Sequence, residues 1–165
     1  MNKVTLLIGG NQGDRRLLID QATELIRQRI GSVVALSAVY ETEPWGDFVT
    51  PPQNFLNRAL LVETTLSPWQ VLRTALDIEK VLGRMRDPKD LKDSKDPKTP
   101  RLYHSRPMDI DLIFYDDRVI DSPELTLPHP RMHLRRFVME PLAEIMPEYR
   151  HPIFGKTVKE LLSEL

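Results

Sequence analysis

Residues 105–117 read SRPMDIDLIFYDD. The stretch has the apolar residues of a buried strand, but Asp109 and Asp111 interrupt them. Side chains at positions i and i+2 of a strand point to the same face, so the two carboxylates should project together. Ile110 and Leu112 then face the opposite side. The stretch therefore predicts a rigid strand that carries a pair of acids.

This acid-bearing strand is the last in a series of strands and helices. Predicted strands span residues 3–9, 32–44 and 54–64, and predicted helices span residues 14–31 and 67–83. The second and third strands are rich in β-branched and other apolar residues and are expected to pair antiparallel. Each helix begins at a residue typical of N-caps, Asp14 or Ser67, and ends at a glycine.

The order of these elements predicts an α+β fold, a ferredoxin-like βαββαβ sandwich with additional C-terminal helices and short strands. The additions are a strand near residues 118–120, a helix near 134–146 and a last helix capped by Thr157. Nothing divides the chain, so residues 1–165 are expected to form a single domain. Residues 86–105 alternate lysine and aspartate around three prolines, which predicts a flexible, lid-like loop.

The composition argues against several classes of protein. The formal net charge of -1 over 165 residues gives no overall attraction to nucleic acid or to an anionic membrane. The chain has no cysteine and so no disulfide or thiolate metal site. The N-terminal apolar run is too short for a signal sequence, and no segment has membrane length. We therefore expect a cytoplasmic location, with neither nucleic acid nor membrane as a partner. A monomer is also expected.

The acid pair has more than one interpretation. Two neighbouring carboxylates repel each other, and Mg²⁺, which prefers hard oxygen ligands, would relieve that repulsion. Both acids could instead face water on a solvated strand. Arg84, Arg86 and Arg106 flank the predicted loop, and guanidinium groups beside such a pair suit phosphoryl transfer. A metal-dependent nuclease, a polymerase palm and a sensing module without chemistry are the alternatives.

Several motifs together resemble one enzyme family. They are YETEPWG (40–46), NFLN (54–57), GRMR (83–86), RPMDIDLIFYDD (106–117) and LTLPHPRMHLRRFVMEPL (125–142). In this order they are similar to 6-hydroxymethyl-7,8-dihydropterin pyrophosphokinases of folate biosynthesis. The resemblance implies a ferredoxin-like sandwich that uses ATP and two Mg²⁺ ions. It also implies transfer of the β,γ-pyrophosphoryl group to the hydroxymethyl group of the pterin, with release of AMP.

The resemblance also implies roles for individual residues. The catalytic set would be Arg84, Arg106, Asp109, Asp111 and His129, with Asp109 and Asp111 as the metal ligands. The ATP-binding set would be Glu79, Arg84, Arg86, Tyr103, Arg106, Leu112, Thr126, His129 and Arg135. The pterin-binding set would be Thr42, Glu43, Pro44, Trp45, Phe55, Asn57 and Phe137.

The residues expected around the pterin suit its chemistry. Phe55 and Asn57 share a strand face by the i, i+2 rule. A flat heteroaromatic ring calls for aromatic planes above and below and for a carboxamide, which donates and accepts, at its edge. The resemblance implies Phe55 and Phe137 as the stacking pair. Core packing is the alternative for both phenylalanines.

Three positions depart from the family pattern. Tyr103 stands where many members have a tryptophan, Pro130 follows His129 where relatives carry a tyrosine, and Glu124 stands where some members have an arginine. These departures concern contacts to ATP and leave the acid pair and the pterin set unchanged.

Overall fold

The computed structural model of the protein describes residues 1–43, 53–83 and 107–165. Its strands are β1 (Asn2–Gly10), β2 (Gly31–Leu36), β3 (Tyr40–Thr42), β4 (Phe55–Thr64), β5 (Asp109–Tyr115), β6 (Ile120–Asp121) and β7 (Thr126–Leu127). Its helices are α1 (Arg15–Arg29), α2 (Pro68–Gly83), α3 (Arg136–Ile145) and α4 (Val158–Ser163), with a 3-10 turn at Met132–Leu134.

Side-chain caps fix where the helices begin. The carboxylate of Asp14 accepts a hydrogen bond of 3.2 Å from the backbone N–H of Leu17. Ser67 and Gln70 form a reciprocal capping box, in which each side-chain oxygen accepts from the other residue's backbone N–H, at 2.8 and 3.2 Å. Thr157 caps α4 by accepting from the backbone N–H of Glu160 at 3.1 Å. The predicted starts of these helices are confirmed.

The main sheet has the strand order β2-β4-β1-β5. β3 pairs with the first residues of β4, on the same edge of β4 as β2. All pairings in it are antiparallel. This is the order expected when two βαβ units interleave, and it confirms the predicted α+β, ferredoxin-like fold. β6 and β7 form a separate two-stranded sheet.

The predicted strand over residues 32–44 is two strands in the structure. At Ser37 the backbone N–H donates to the carbonyl of Ala59, and the hydroxyl accepts from the N–H of Ala59, both at 2.9 Å. A side chain thus replaces a backbone group of the ladder, which ends β2 before β3 begins. The first helix stops just before Gly31 as predicted, with Ile30 as its C-cap, but Gly31 lacks the positive φ of a helix-ending glycine. It begins β2, where a Cβ atom would lie only 1.9 Å from the carbonyl oxygen of Glu63.

The two faces of the sheet carry different apolar clusters. One cluster packs α1 and α2 on the sheet through Leu6, Leu60 and Ile110. The other packs α3 and α4 on the opposite face and includes Leu7 and Ala59. Each strand of the sheet therefore sends alternate side chains into different layers. Within the described ranges, no helix is both long enough and apolar enough to cross a membrane.

Candidate active site

The sheet register places the acid pair and Asn57 on one face. Gly9 of β1 pairs with Asn57 of β4 on one side and with Asp109 of β5 on the other. Directly opposite residues in antiparallel strands project to the same face. Leu7 pairs in the same way with Ala59 and Asp111. Since Leu7 and Ala59 pack under α3 and α4, this is the face that those helices cover.

The spacing of this row follows from sheet geometry. Adjacent strands lie about 4.8 Å apart, so the Cα atoms of Asn57 and Asp109 are separated by roughly 10 Å across β1. Along β5, Asp109 and Asp111 are roughly 7 Å apart at their Cα atoms. The sheet therefore holds an amide and two carboxylates close together on one face.

Gly9 makes room for the side chain of Asn57. A Cβ atom on Gly9 would lie 2.4 Å from Oδ1 of Asn57 and 2.5 Å from the carbonyl oxygen of Leu56. The amide thus lies over β1 rather than beside it. Its Nδ2 donates to Oγ1 of Thr42 at 3.2 Å, and the residue is only 5% exposed. Asn57 is therefore a buried, oriented amide that links two residues of the predicted pterin set.

A cavity of about 490 Å³ opens between the end of β3 and the start of α3. Its lining consists of Thr42, Glu43, Leu134, Arg135, Arg136, Phe137 and Leu165. Four of these were predicted for the site, and the guanidinium carbon of Arg135 lies 5.6 Å from the ring centroid of Phe137. Phe55 pairs with Thr42 in the neighbouring strand and is 8% exposed. An aromatic ring, a hydroxyl group and guanidinium groups thus border the cavity.

Glu79 stands close to the acid pair, although it belongs to α2. Its Oε2 accepts a hydrogen bond of 2.8 Å from the backbone N–H of Ile110, the residue between Asp109 and Asp111. Burial raises the pKa of the Glu79 carboxyl to about 8, the Ile110 bond opposes that rise, and Asp109 and Asp111 add to it. Three carboxyl groups therefore crowd one end of β5.

The donor set at β5 suits a hard divalent cation. Mg²⁺ is bound through one or two carboxylates and keeps water or phosphate oxygens as its other ligands. Asp109 and Asp111 supply such a pair on a rigid strand. No group of three or more His, Cys, Asp or Glu side chains within the described part of the chain could enclose an ion. The pair thus suits an ion that is shared with a phosphorylated ligand rather than one held in a closed protein cage.

His129 is oriented by its surroundings. Its backbone N–H donates to the carbonyl of Ile113 at 3.0 Å, and its Nδ1 accepts from the backbone N–H of Arg131 at 3.2 Å. In the neutral ring the proton is then on Nε2. Burial lowers the pKa of His129, Arg135 and Arg131 lower it further, and Asp109 opposes them. His129 is therefore a neutral hydrogen-bond donor at pH 7.

Comparison with known protein families assigns the chain to one of them. Residues 5–147 match the model of the 7,8-dihydro-6-hydroxymethylpterin-pyrophosphokinase (HPPK) family. The chain belongs to the HPPK family. This confirms the resemblance and the predicted enzyme class, and it argues against the nuclease, polymerase and sensing alternatives.

Relatives cover nearly the whole chain. A 2-amino-4-hydroxy-6-hydroxymethyldihydropteridine pyrophosphokinase of Porphyromonas gingivalis is 38% identical over 150 residues, which are 90% of this chain and 93% of the relative. The enzyme of the same name from Methylorubrum extorquens is 37% identical over 166 residues, with 100% and 94% covered. That of Bacillus subtilis is 34% identical, with 88% and 79% covered.

Solved structures agree on the fold. HPPK-DHPS of Plasmodium falciparum with SDX-DHP superposes with a TM-score of 0.72 at 16% identity. The match covers 99% of this chain and 43% of that longer one. The same protein with pterin and p-hydroxybenzoate gives a TM-score of 0.73 at 17% identity, again with 43% of that chain covered. At such identities the likeness extends to the fold alone.

The remaining predicted HPPK positions divide into two groups. Pro44, Trp45, Arg84, Arg86, Tyr103 and Arg106 lie outside the described residues, as does the 86–105 loop. Thr126 is exposed on β7, and Leu112 is 5% exposed in the core beneath α1 and α2. Since the side chain of Leu112 is occupied by packing, any contact with ATP there would use its backbone at the outer edge of β5.

Sequence reasoning missed three residues that line the HPPK cavity. Leu134 and Arg136 are neighbours of Arg135 and Phe137 within one motif, and that adjacency was the available signal. No signal in the sequence pointed to Leu165, because only the tertiary fold brings it to the cavity. The guanidinium of Arg136 donates to the carbonyl of Leu165 at 2.6 Å and pairs with Glu140 at 3.3 Å.

Proposed function

We propose that the chain transfers the β,γ-pyrophosphoryl group of ATP to the hydroxymethyl group of 6-hydroxymethyl-7,8-dihydropterin and releases AMP, with Mg²⁺ bound at Asp109 and Asp111. The hydroxymethyl oxygen forms a bond to the β-phosphorus, and the bond from that phosphorus to the oxygen bridging to the α-phosphate breaks. The hydroxyl proton is lost to solvent. The observation that carries the proposal is the row of Asn57, Gly9 and Asp109 on one sheet face.

The pterin would bind at the Asn57 end of this row. The buried Asn57 amide can donate to and accept from the edge of a heterocycle, and its bond to Thr42 holds it in a fixed orientation. Phe55 and Phe137 would stack on the two faces of the ring. In this arrangement the hydroxymethyl group would point across β1 toward β5.

The triphosphate would bind at the Asp109 end. Mg²⁺ there would neutralise phosphate oxygens and raise the reactivity of the pterin hydroxyl. The Nε2–H of His129 and the guanidinium of Arg135 would donate to phosphate oxygens, which orients the reacting phosphorus. Of the family positions outside the described residues, Arg84, Arg86 and Arg106 would hold the triphosphate. Nucleotide would bind first, the 86–105 loop would then move, and pterin would bind last.

Product analysis tests this proposal. Purified protein is mixed with MgATP and the hydroxymethyl-dihydropterin, and nucleotides are separated by chromatography. We expect AMP and pterin diphosphate in equal amounts. ADP would mean ordinary γ-phosphoryl transfer and would contradict the proposal. Asp109→Asn should release no AMP, whereas Asp117→Asn, an exposed acid two residues beyond the end of β5, should retain full activity. The cytoplasmic location and monomeric state stay predictions.

A further inference from the structure

Glu79 connects the end of α2 to the start of β5. It lies in the last turns of α2, and its carboxyl group accepts a hydrogen bond from the N–H of Ile110 at 2.8 Å. β5 has β1 on one side only, so within the described sheet it is an edge strand whose outer backbone groups have no neighbouring strand. The carboxyl group of Glu79 takes the place of the missing carbonyl at one position of that edge.

The bond to Ile110 does not depend on a negative charge. The Glu79 carboxyl is largely removed from water, and its pKa of about 8 leaves it mostly protonated at pH 7. One carboxyl oxygen still accepts from the N–H of Ile110. An amide of the same length would accept the same bond. The bond therefore depends on the reach of the side chain from α2.

The ends of α2 and β5 also approach each other directly. A Cβ atom on Gly83, the last residue of α2, would lie 3.9 Å from Cγ of Pro107, two residues before β5. The Glu79 bond lies one helical turn behind this contact. Together they fix the backbone of β5 at the point where Asp109 and Asp111 leave it.

We infer that Glu79 is a positioning residue for the acid pair: by holding the N–H of Ile110, it fixes the direction in which Asp109 and Asp111 project toward a divalent cation. The inference rests on the proposed function, in which that pair binds Mg²⁺. It assigns to Glu79 a role different from the nucleotide contact implied by the family resemblance. Position, rather than negative charge, is what the residue supplies.

Two variants separate the reach of the side chain from its acidity. Glu79→Asp keeps an ionisable carboxyl group but withdraws it by one methylene, about 1.5 Å, so the bond to Ile110 is lost. Glu79→Gln removes the ionisable group but keeps an oxygen at the same reach. Asp77→Asn, an exposed acid two residues earlier on the same helix, is the matched control. Circular dichroism confirms that each variant folds.

The readouts do not depend on turnover. Hydrogen exchange followed by NMR reports the bond to Ile110. Electron paramagnetic resonance reports Mn²⁺ binding in the presence of a non-hydrolysable ATP analogue. We expect Glu79→Asp to speed exchange of the Ile110 amide at least tenfold and to weaken Mn²⁺ binding at least fivefold. Glu79→Gln should stay within threefold of wild type in both, and the Kd for pterin should change less than twofold in either variant.

Other patterns would overturn the inference. Mn²⁺ binding that is lost in Glu79→Gln and kept in Glu79→Asp would assign the effect to charge. A higher Kd for the ATP analogue measured without metal, with Mn²⁺ binding unchanged, would make Glu79 a nucleotide contact. A wild-type protein that forms no AMP would refute the proposed function, while the exchange and Mn²⁺ measurements would still decide the role of Glu79.

Discussion

Replacing Gly9 by alanine tests the row that joins the two halves of the site. The added Cβ would meet Oδ1 of Asn57 at 2.4 Å and the carbonyl oxygen of Leu56 at 2.5 Å, whereas real Cβ contacts are essentially never under 3.0 Å. The Asn57 side chain can rotate away, but the Leu56 carbonyl belongs to the β4 backbone. β4 is held between β1 and β2, so it cannot retreat without loss of ladder bonds.

The cost follows from these two contacts. Overpacking of a close-packed interior costs about 1–3 kcal/mol. Loss of the bond between Asn57 and Thr42 adds about 1 kcal/mol. We therefore expect Gly9→Ala to lower the free energy of unfolding by about 2–4 kcal/mol. The rotated amide should also raise the KM for pterin roughly tenfold, equivalent to about 1.4 kcal/mol.

Urea unfolding and steady-state kinetics measure both effects. Gly83→Ala is the matched control, because the nearest atom to its added Cβ lies 3.9 Å away. At the end of a helix that change should be neutral or stabilising by up to about 1 kcal/mol. If Gly9→Ala were as stable as wild type and bound pterin normally, the close approach of Asn57 to β1 would be wrong.

Three further predictions concern other parts of the molecule. Burial lowers the pKa of His151, whose neutral Nδ1 accepts hydrogen bonds from the N–H groups of Ile153 and Phe154. The contribution of His151 to stability is therefore complete above pH 6.5 and is lost as the pH falls below that value. Urea unfolding should therefore show a larger loss between pH 7.5 and pH 5 in wild type than in His151→Asn; equal losses would contradict this. Phe137→Ala should raise the Kd for pterin roughly tenfold by fluorescence titration, with the KM for ATP unchanged, and Phe154→Ala is the control; unchanged pterin binding would exclude stacking. Asp111→Asn should raise the melting temperature in EDTA, because it removes a like charge beside Asp109 on the same strand face, and should reduce AMP formation at least a hundredfold; a lower melting temperature would refute the repulsion.

Local signals in the sequence were sufficient for most of the fold. The caps at Asp14 and Ser67 begin the helices as expected, because each depends on hydrogen bonds within three residues. The break at Ser37 was not predictable, because its hydroxyl acts on Ala59, a residue 22 positions away. Gly31 was read as a helix end, although its small size serves an approach to the neighbouring strand.

The site was predictable where spacing along the chain determines direction. Asp109 and Asp111 follow the i, i+2 rule, and so do Phe55 and Asn57. The contact of Glu79 with Ile110 joins residues 31 positions apart, and no local pattern indicates it. Leu165 enters the cavity for the same kind of reason, since only tertiary packing brings it there.

We propose that the acids of β5 and the amide of β4 bind the two substrates side by side across β1. Mn²⁺ bound with a non-hydrolysable ATP analogue measures this directly, through paramagnetic broadening of the NMR lines of bound hydroxymethyl-dihydropterin. We expect strong broadening of the hydroxymethyl protons in wild type and its loss in the double variant Asp109→Asn, Asp111→Asn. Sharp hydroxymethyl lines in wild type with saturating Mn²⁺ and pterin bound would contradict it.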